Sequence, residues 1–530
     1  MASNNSTTAK NIWLVTREYG NLAGAGGVKD VTKQLAAALA AGGHQVSVIL
    51  PCYGFINPKK LGFAPLGHDF DVDMSYVLSE RREFVKIWHS PENPTIYLID
   101  SRRFQEKFGV YTYSAEEEAR NPDHVYGQGH FDYFAMNVLL QKVALSLMVR
   151  LGQQPDVIHC HDGHTALIPA MIREIEGFRH YFHKTAAVVT IHNAGLGYHQ
   201  EVADLPFAQA ITGLPMRVID HNLLDGAFDP LLAASGYGAV NTVSENYARE
   251  LRETFDDEAT GWLGHRLMSR GIRLAGITNG IDPREFDLTK PKELGLPAGF
   301  SPASPKKNGH PGKRTCRQDL LAALRDRTLR GIRQDGFLHT LTKAPLFTFI
   351  GRLTAQKGVD KLIAAAKKIL PIDQNLQILI LGSGEKVFED ELVRLAVDPR
   401  MEGRICVLRG YDPILANRIY AAGDFFLVPS RYEPCGLTDF IAQLFGNLPI
   451  VHHIGGLVKV IDGETGFAYR DGAGAGLSET MVRAGRVFHD SPQQIMLMQK
   501  TAVELIQSRY TWEKVMHQYL ELYQKSAVAR

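Results

Sequence analysis

The segment Gly351-Arg352-Leu353-Thr354-Ala355-Gln356-Lys357-Gly358 places two cations five residues apart where an apolar run ends. An arginine fork and a lysine point charge in such a place suit a diphosphate, and a solvated surface pair is the plain alternative. In Ser430-Arg431-Tyr432-Glu433-Pro434-Cys435-Gly436-Leu437-Thr438, Glu433 can accept hydrogen bonds from sugar hydroxyls. The amides after Gly436, with the Thr438 hydroxyl, can take a phosphate where a helix begins, or simply cap that helix. Gly24-Ala25-Gly26-Gly27-Val28-Lys29-Asp30 leads from a first strand into a helix. Its amides can approach an anion, or it is an ordinary tight turn, since G-x-G-x-x-G spacing is absent. His159-Cys160-His161-Asp162-Gly163-His164 gathers three imidazoles and a carboxylate, able to ligate a metal, to hydrogen-bond a sugar, or to form a structural turn. Thr190-Ile191-His192-Asn193 ends another apolar run with two groups suited to a hydroxyl-rich ligand. The turns Asn279-Gly280-Ile281-Asp282 and Gly455-Gly456-Leu457 have the same placement and say little alone.

These segments must be positioned by strands. Short apolar runs recur at 12–16, 45–51, 95–100, 156–162, 186–193 and 238–244, and the rhythm restarts at 346–353, 376–384, 405–412, 424–430 and 448–453. Between them lie stretches apolar at i, i+3 and i+4, such as VTKQLAAALAAGG and VDKLIAAAKKIL. Alternating strands and helices predict an α/β fold with parallel sheets covered on both faces, and two series predict two Rossmann-like doubly wound domains. Ligands of such sheets sit beyond the carboxyl ends of the strands, where every segment above falls. The stretch FSPASPKKNGHPGKR (300–314) reads as an exposed loop near the junction, and YTWEKVMHQYLELYQKS as a closing amphipathic helix. The HCHDGH segment approaches the H-x-H-x-D-H of metallo-β-lactamase-like hydrolases, with the carboxylate one residue early.

The chain has 530 residues, of which 22% are charged, and 58 Lys and Arg against 57 Asp and Glu leave a net charge of +1. That balance gives no global attraction to nucleic acid or anionic membrane, so any bound phosphate needs a local site. Five cysteines without a C-x-x-C pair fit a reducing compartment. No run approaches the ~18 apolar residues of a membrane span, and the amino-terminal run is too short for a signal peptide. A cytoplasmic protein is the expectation.

In order and spacing, the glycine turn, HCHDGH, TIHN, TVS, NGID, GRLTAQKG, SRYEPCGLT, GGL and the closing helix resemble the bacterial glycogen synthases and plant starch synthases, from about residue 11 to 525. The resemblance implies the GT-B fold, two Rossmann-like domains facing a cleft: 1–300 on the acceptor side, 315–505 on the donor side, and 506–530 closing back on the first. It implies transfer of glucose from a nucleotide diphosphate sugar, ADP-glucose foremost, to the non-reducing end of an α-1,4-glucan with retention. No metal and no cofactor are implied, and the departing phosphate helps deprotonate the acceptor. Carried over, Arg352 and Lys357 neutralise the diphosphate, Glu433 holds the transferred sugar, and Asp162 and His192 complete the catalytic set. Gly26, Gly27, Asp30, Asn279, Tyr411, Cys435, Gly436, Leu437, Thr438, Gly455 and Gly456 bind the donor, with Tyr411 against its base and Asp30 and Asn279 toward the sugar. The departures are Gly24 for the family's lysine in Lys-x-Gly-Gly, Gly163 for a tryptophan, His452 and His453 for two arginines, and Lys459 for an aspartate. Two other readings remain at this point: a non-catalytic or altered-specificity glucan-binding relative, and a metal-dependent hydrolase on His159, His161, Asp162 and His164. The sequence leaves oligomeric state open.

Overall fold

A computed structural model describes residues 9–76, 79–305, 309–341, 344–470 and 475–528. The polar tail 1–8 and residues 306–308 of the proline-rich stretch lie outside them. The chain divides into two compact units, Met1–Gly280 with Trp512–Arg530, and Ile281–Thr511. The division thus falls at Gly280, upstream of the 300–314 stretch.

In unit 1 the strands are β1 (Asn11–Val15), β2 (Gln45–Pro51), β3 (Arg82–Ser90), β4 (Thr95–Asp100), β5 (Val157–His161), β6 (Ala186–Ile191), β7 (Ala239–Thr242) and β8 (Ala275–Gly276), with α1 (Val28–Ala41) following β1 and the long α2 (Tyr133–Arg150) preceding β5. They are ordered β8-β7-β6-β5-β1-β2-β4-β3 in a ten-stranded sheet, all parallel but for β3, which runs antiparallel to β4 and to the two remaining short strands Ala64–Pro65 and Phe70–Asp73. Residues of β5 and β6 are buried throughout, as a parallel strand covered on both faces requires. The strand β3 escapes a search for apolar runs because it alternates buried with exposed residues, the pattern of an antiparallel strand with one wet face. The order reverses at β1, which lies between β5 and β2. Turns leaving β1 and β5 therefore flank the topological switch point, where this architecture places ligands.

Unit 2 has β9 (Arg333–Leu338), β10 (Leu346–Ile350), β11 (Gln377–Gly382), β12 (Arg404–Arg409), β13 (Phe425–Val428), β14 (Leu448–His452) and β15 (Phe467–Tyr469). Their order is β9-β12-β11-β10-β13-β14-β15, with only β9 antiparallel. One cluster of buried residues includes Phe347, Ile378 and Leu427, and another includes Leu346, Leu379 and Phe426. Adjacent residues of one strand thus feed opposite faces of the sheet, as the two-residue period of a strand dictates. Here the switch lies between β10 and β13, whose following turns carry Lys357 and Glu433.

The 300–314 stretch is not an exposed loop along its described length. Pro311 opens helix α3 (Pro311–Arg325), a first-turn place where its missing N–H costs nothing. His310 and Lys313 are buried, and the Lys313 ammonium donates to the carbonyls of Ala421 and Phe445, 3.1 Å each. The carboxyl-terminal helix α4 (Trp512–Val528) belongs to unit 1, where Trp512 Nε1 donates to Gln34 at 2.7 Å. Among the described residues no helix is long and apolar enough to cross a membrane, and the five cysteines are all buried and outside any disulfide.

The Thr190 hydroxyl donates to Asn241 Oδ1 (2.8 Å) and so accepts from His159 Nε2 (2.7 Å). That leaves His159 Nδ1 as acceptor for the Tyr523 hydroxyl at 2.9 Å, a bond that ties α4 to β5. The substitution Tyr523→Phe is expected to cost about 1–2 kcal/mol by leaving a buried acceptor unpaired. A lower urea midpoint with unchanged far-ultraviolet dichroism checks it.

Candidate active site

In unit 2 the turns after β10 and β13 bring Lys357 and Glu433 into an ion pair of 2.6 Å, with the Ser430 hydroxyl donating to the same carboxylate oxygen at 3.0 Å. Burial pushes the Glu433 pKa up, but Lys357 beside it, then Ser430 and Lys459, hold it below the ordinary carboxylate value. The two turns are stitched together: Arg431 N donates to Gln356 O at 2.9 Å, and the Arg431 guanidinium pairs with Asp360. The Arg352 guanidinium reaches Gln356 at 3.5 Å and stays exposed.

The amides of Gly436, Leu437 and Thr438 donate to no atom among the described residues. Gly436 is left-handed (φ +74°) and Leu437 right-handed (φ −109°, ψ −31°), an arrangement that turns successive N–H groups toward one concavity and favours an anion. Lys459 holds the other side of these peptides. Its ammonium, nearly buried, donates to the Cys435 carbonyl, to Gly436 O at 2.8 Å and to Gly456 O at 3.1 Å, and pairs with Asp439 at 3.0 Å. Burial raises the Asp439 pKa to about 6 even with Lys459 alongside.

Gly455 and Gly456, expected to face a donor, are packed against the Glu433 turn. A Cβ on Gly455 would stand 2.0 Å from Glu433 O, and one on Gly456 would stand 2.1 Å from Cys435 O. The Gly456 amide is spent on Glu433 O at 2.9 Å. His452 braces the same turn, with Nδ1–H donating to Ser430 O at 2.9 Å and the ring stacked on Tyr469. Tyr411 follows β12 and is 76% exposed.

In unit 1 the glycine turn is organised by a residue the sequence reading missed. Glu18, buried just after β1, accepts from the amides of Ala25 (2.7 Å) and Gly26 (3.0 Å) and from the Tyr111 hydroxyl (2.6 Å). Two amides expected to meet an outside anion are thus already taken by a carboxylate of the same chain. The one available signal is a carboxylate placed directly after the first strand, in Thr16-Arg17-Glu18. A Cβ on Gly24 would lie 2.2 Å from Cδ and 2.9 Å from Cβ of Lys29, so the lysine stem occupies the space above that glycine. Lys29 Nζ pairs with Asp30 at 2.6 Å, both half-exposed. Gly26 faces open space and Gly27 caps helix α1 (Val28–Ala41) in chain terms only, with no side chain to contribute.

Beyond β5, Asp162 is buried at a left-handed backbone position (φ +57°), costly for a non-glycine residue. Its Oδ1 accepts from the amides of His192 (2.6 Å) and Asn193 (3.3 Å), tying the ends of β5 and β6 together. His161 Nδ1 meets His192 Nε2 at 2.9 Å, and burial lowers the pKa of both rings, that of His192 to about 3. With His159 held by Thr190 and Tyr523, these side chains face separate partners. Among the described residues no three of His, Cys, Asp and Glu converge as a metal-binding group, so the hydrolase reading has no ligand set. Asn279, also buried, has an amide oxygen with no hydrogen-bond partner among the described residues.

Burial raises the Asp162 pKa from its ordinary 3.8 to about 7, against the two amide hydrogen bonds and with Glu18 adding to the rise. The native state then binds this proton more tightly than the unfolded chain, and stability falls as pH rises from about 4 to 7. Asp162→Asn cannot ionise and should lose that decline, gaining on the wild type by about 2–4 kcal/mol over the window. Urea midpoints of both proteins between pH 4 and 8 give the comparison.

Residues 11–265 match the family described as starch synthase catalytic domain, and residues 344–485 match glycosyl transferases group 1. The glycogen synthase of Geotalea uraniireducens is 31% identical, over 98% of this chain and 99% of its own. That of Anaeromyxobacter sp. is likewise 31% identical, over 95% of this chain and 94% of its own. The solved catalytic domain of starch synthase IV from Arabidopsis thaliana, bound to ADP and acarbose, shares the fold at a TM-score of 0.79 and 24% identity, covering 98% of this chain and 100% of that one. With two doubly wound sheets, a Lys–Glu pair and open amides at one switch point, and this likeness along its whole length, the chain belongs to the glycogen synthase family of GT-B hexosyltransferases.

Proposed function

We propose that this protein transfers glucose from ADP-glucose to the non-reducing end of an α-1,4-glucan with retention of configuration, without a metal or cofactor. The observation that carries the reading is the Lys357–Glu433 pair beside the unpaired amides of Gly436, Leu437 and Thr438. Cationic side chains and oriented amides stabilise a diphosphate leaving group where charge develops. A protein that only bound glucan would gain nothing from keeping them.

In this reading Arg352 and Lys357 take the charge of the departing diphosphate, and the 436–438 amides hold its distal phosphate. Glu433, ionised by its neighbours, accepts hydrogen bonds from the transferred sugar. Tyr411 stacks on the base, and Cys435, Gly455 and Gly456 set the shape of the donor turn. Asp162 and His192 line the sugar, with Asp30, Asn279 and the glycines at 26 and 27 on the same unit. Lys29, whose stem lies over Gly24, supplies the cation that the resembled family carries at that position. The outgoing phosphate oxygen removes the acceptor proton on the face it leaves, so no side-chain nucleophile is needed.

Replacing Lys357 by Ala removes a cation from the leaving group and leaves the Glu433 carboxylate buried without its partner. A fall of about 100- to 1000-fold in kcat/KM is expected, the scale for losing one such stabilising group. Release of ADP from ADP-glucose in the presence of glycogen measures it. A wild-type protein that neither binds ADP by calorimetry nor releases it would sink the assignment.

A further inference from the structure

Position 459 is where the resembled family carries an aspartate, and here a lysine ammonium lies beneath the turn that holds the open amides. An ionised aspartate has only acceptors and could bond no carbonyl there. Lys459 bonds three, those of Cys435, Gly436 and Gly456, and its Nζ stands 4.4 Å from the centre of the Phe440 ring. The Lys459 side chain and the Asp439 carboxylate against it are almost wholly buried, so water screens neither charge well.

This placement needs a glycine at 436. A Cβ there would stand 2.7 Å from Asp439 Oδ1 and 3.1 Å from Lys459 Nζ, at a backbone φ of +74° that a side chain rarely adopts. With that space open, the ammonium meets two successive peptides, Cys435–Gly436 and Gly436–Leu437, from their carbonyl side. The N–H groups of those same peptides belong to Gly436 and Leu437, and they donate to no atom among the described residues. A trans peptide points its two polar groups in opposite directions, so a cation fixed to the oxygens aims the hydrogens away from itself. It also polarises each peptide, which makes the N–H a stronger donor. The third peptide is held in another way, with Leu437 O accepting from Ile441 N at 3.1 Å.

The segment just before this turn has exchanged two arginines of the family pattern for His452 and His453. His452 spends its Nδ1–H on Ser430 O, and burial, then the charge of Arg470, lowers the His453 pKa. Lys459 restores a cation to the turn, behind the backbone instead of on the ligand's side.

We propose that Lys459 is a positioning residue for the donor diphosphate, acting through two peptides: its ammonium fixes and polarises the Cys435 and Gly436 carbonyls and so aims and strengthens the Gly436 and Leu437 amides. Asp439, on the same side of the turn, offsets part of the ammonium's charge. The inference rests on the reading of these amides as the holders of the distal phosphate.

The test titrates ADP and AMP by calorimetry into the full chain as wild type, Lys459→Met, Asp439→Asn and the double variant carrying both changes. At pH 8 the Asp439 carboxylate is ionised, since burial raises its pKa only to about 6. Thermal unfolding shows which proteins are folded, and the double variant keeps the shape of the pair without either charge should Lys459→Met alone unfold. ADP should bind about 3- to 30-fold more weakly to Lys459→Met, the scale of one poorly screened charge acting across a peptide. The double variant should also bind it more weakly than the wild type, whereas Asp439→Asn should bind it more tightly. AMP, which lacks the distal phosphate, should change far less in all three. An ion pair that served the fold alone would weaken ADP in both single variants, with AMP following. That result, or one ADP affinity for all four proteins, overturns the role of Lys459 and leaves the transferase reading standing. A wild type that binds no ADP removes the transferase reading and this role together.

Discussion

Glu433 is buried at a strand end and stays ionised because a cation lies against it, Lys357 at 2.6 Å. Neither residue can be placed without the other, since an ionised carboxylate left alone in that setting would be strongly destabilising. The surrounding turns follow from this pair. Gly455 and Gly456 lie against the backbone of the Glu433 turn because they lack side chains, and His452 and Ser430 hold it from a third direction. What the pair leaves open is the row of amides from Gly436 to Thr438, and those are the groups free to meet an anion.

The same turn shows how a departure from a family pattern can be absorbed. Lysine at 459 would be untenable in a buried place without compensation, and it finds three carbonyls and the Asp439 carboxylate. Because a trans peptide directs its N–H opposite to its C=O, holding the Cys435 and Gly436 carbonyls on one side turns the next amides to the other. In unit 1 two glycines stand where the pattern has larger residues, and in each case another part of this chain fills the space. The stem of Lys29 lies over Gly24, and the backbone of Tyr198 and His199 lies over Gly163. Such exchanges alter which residue presents a group while keeping the backbone frame.

Much of the fold was legible because parallel strands covered on both faces must be apolar throughout. β5, β6 and β10 to β14 therefore stand out as continuous runs, and their polar ends mark Arg352, Lys357, Glu433, Asp162 and His192. The antiparallel strands β3 and β9 did not stand out, since each has residues only partly buried and an alternating or polar pattern. The 300–314 stretch misled for a related reason: proline and lysine read as loop residues, although proline fits the first turn of α3 and Lys313 reaches two carbonyls.

The sequence by itself determined the class of fold, the two series of strands, the family likeness and the positions of the polar turns, because these depend on local period and on residues near one another in the chain. Tertiary structure decided which polar groups are already spent. The amides of Ala25 and Gly26 belong to Glu18, His159 belongs to Thr190 and Tyr523, and the nitrogens of Arg17 belong to Tyr53, Asn137 and the Val110 carbonyl, whereas among the described residues the Asn279 amide oxygen and the 436–438 amides stay open. Hydrogen-bonding capacity is consumed by whatever lies within reach in space, and spacing along the chain carries no record of that reach.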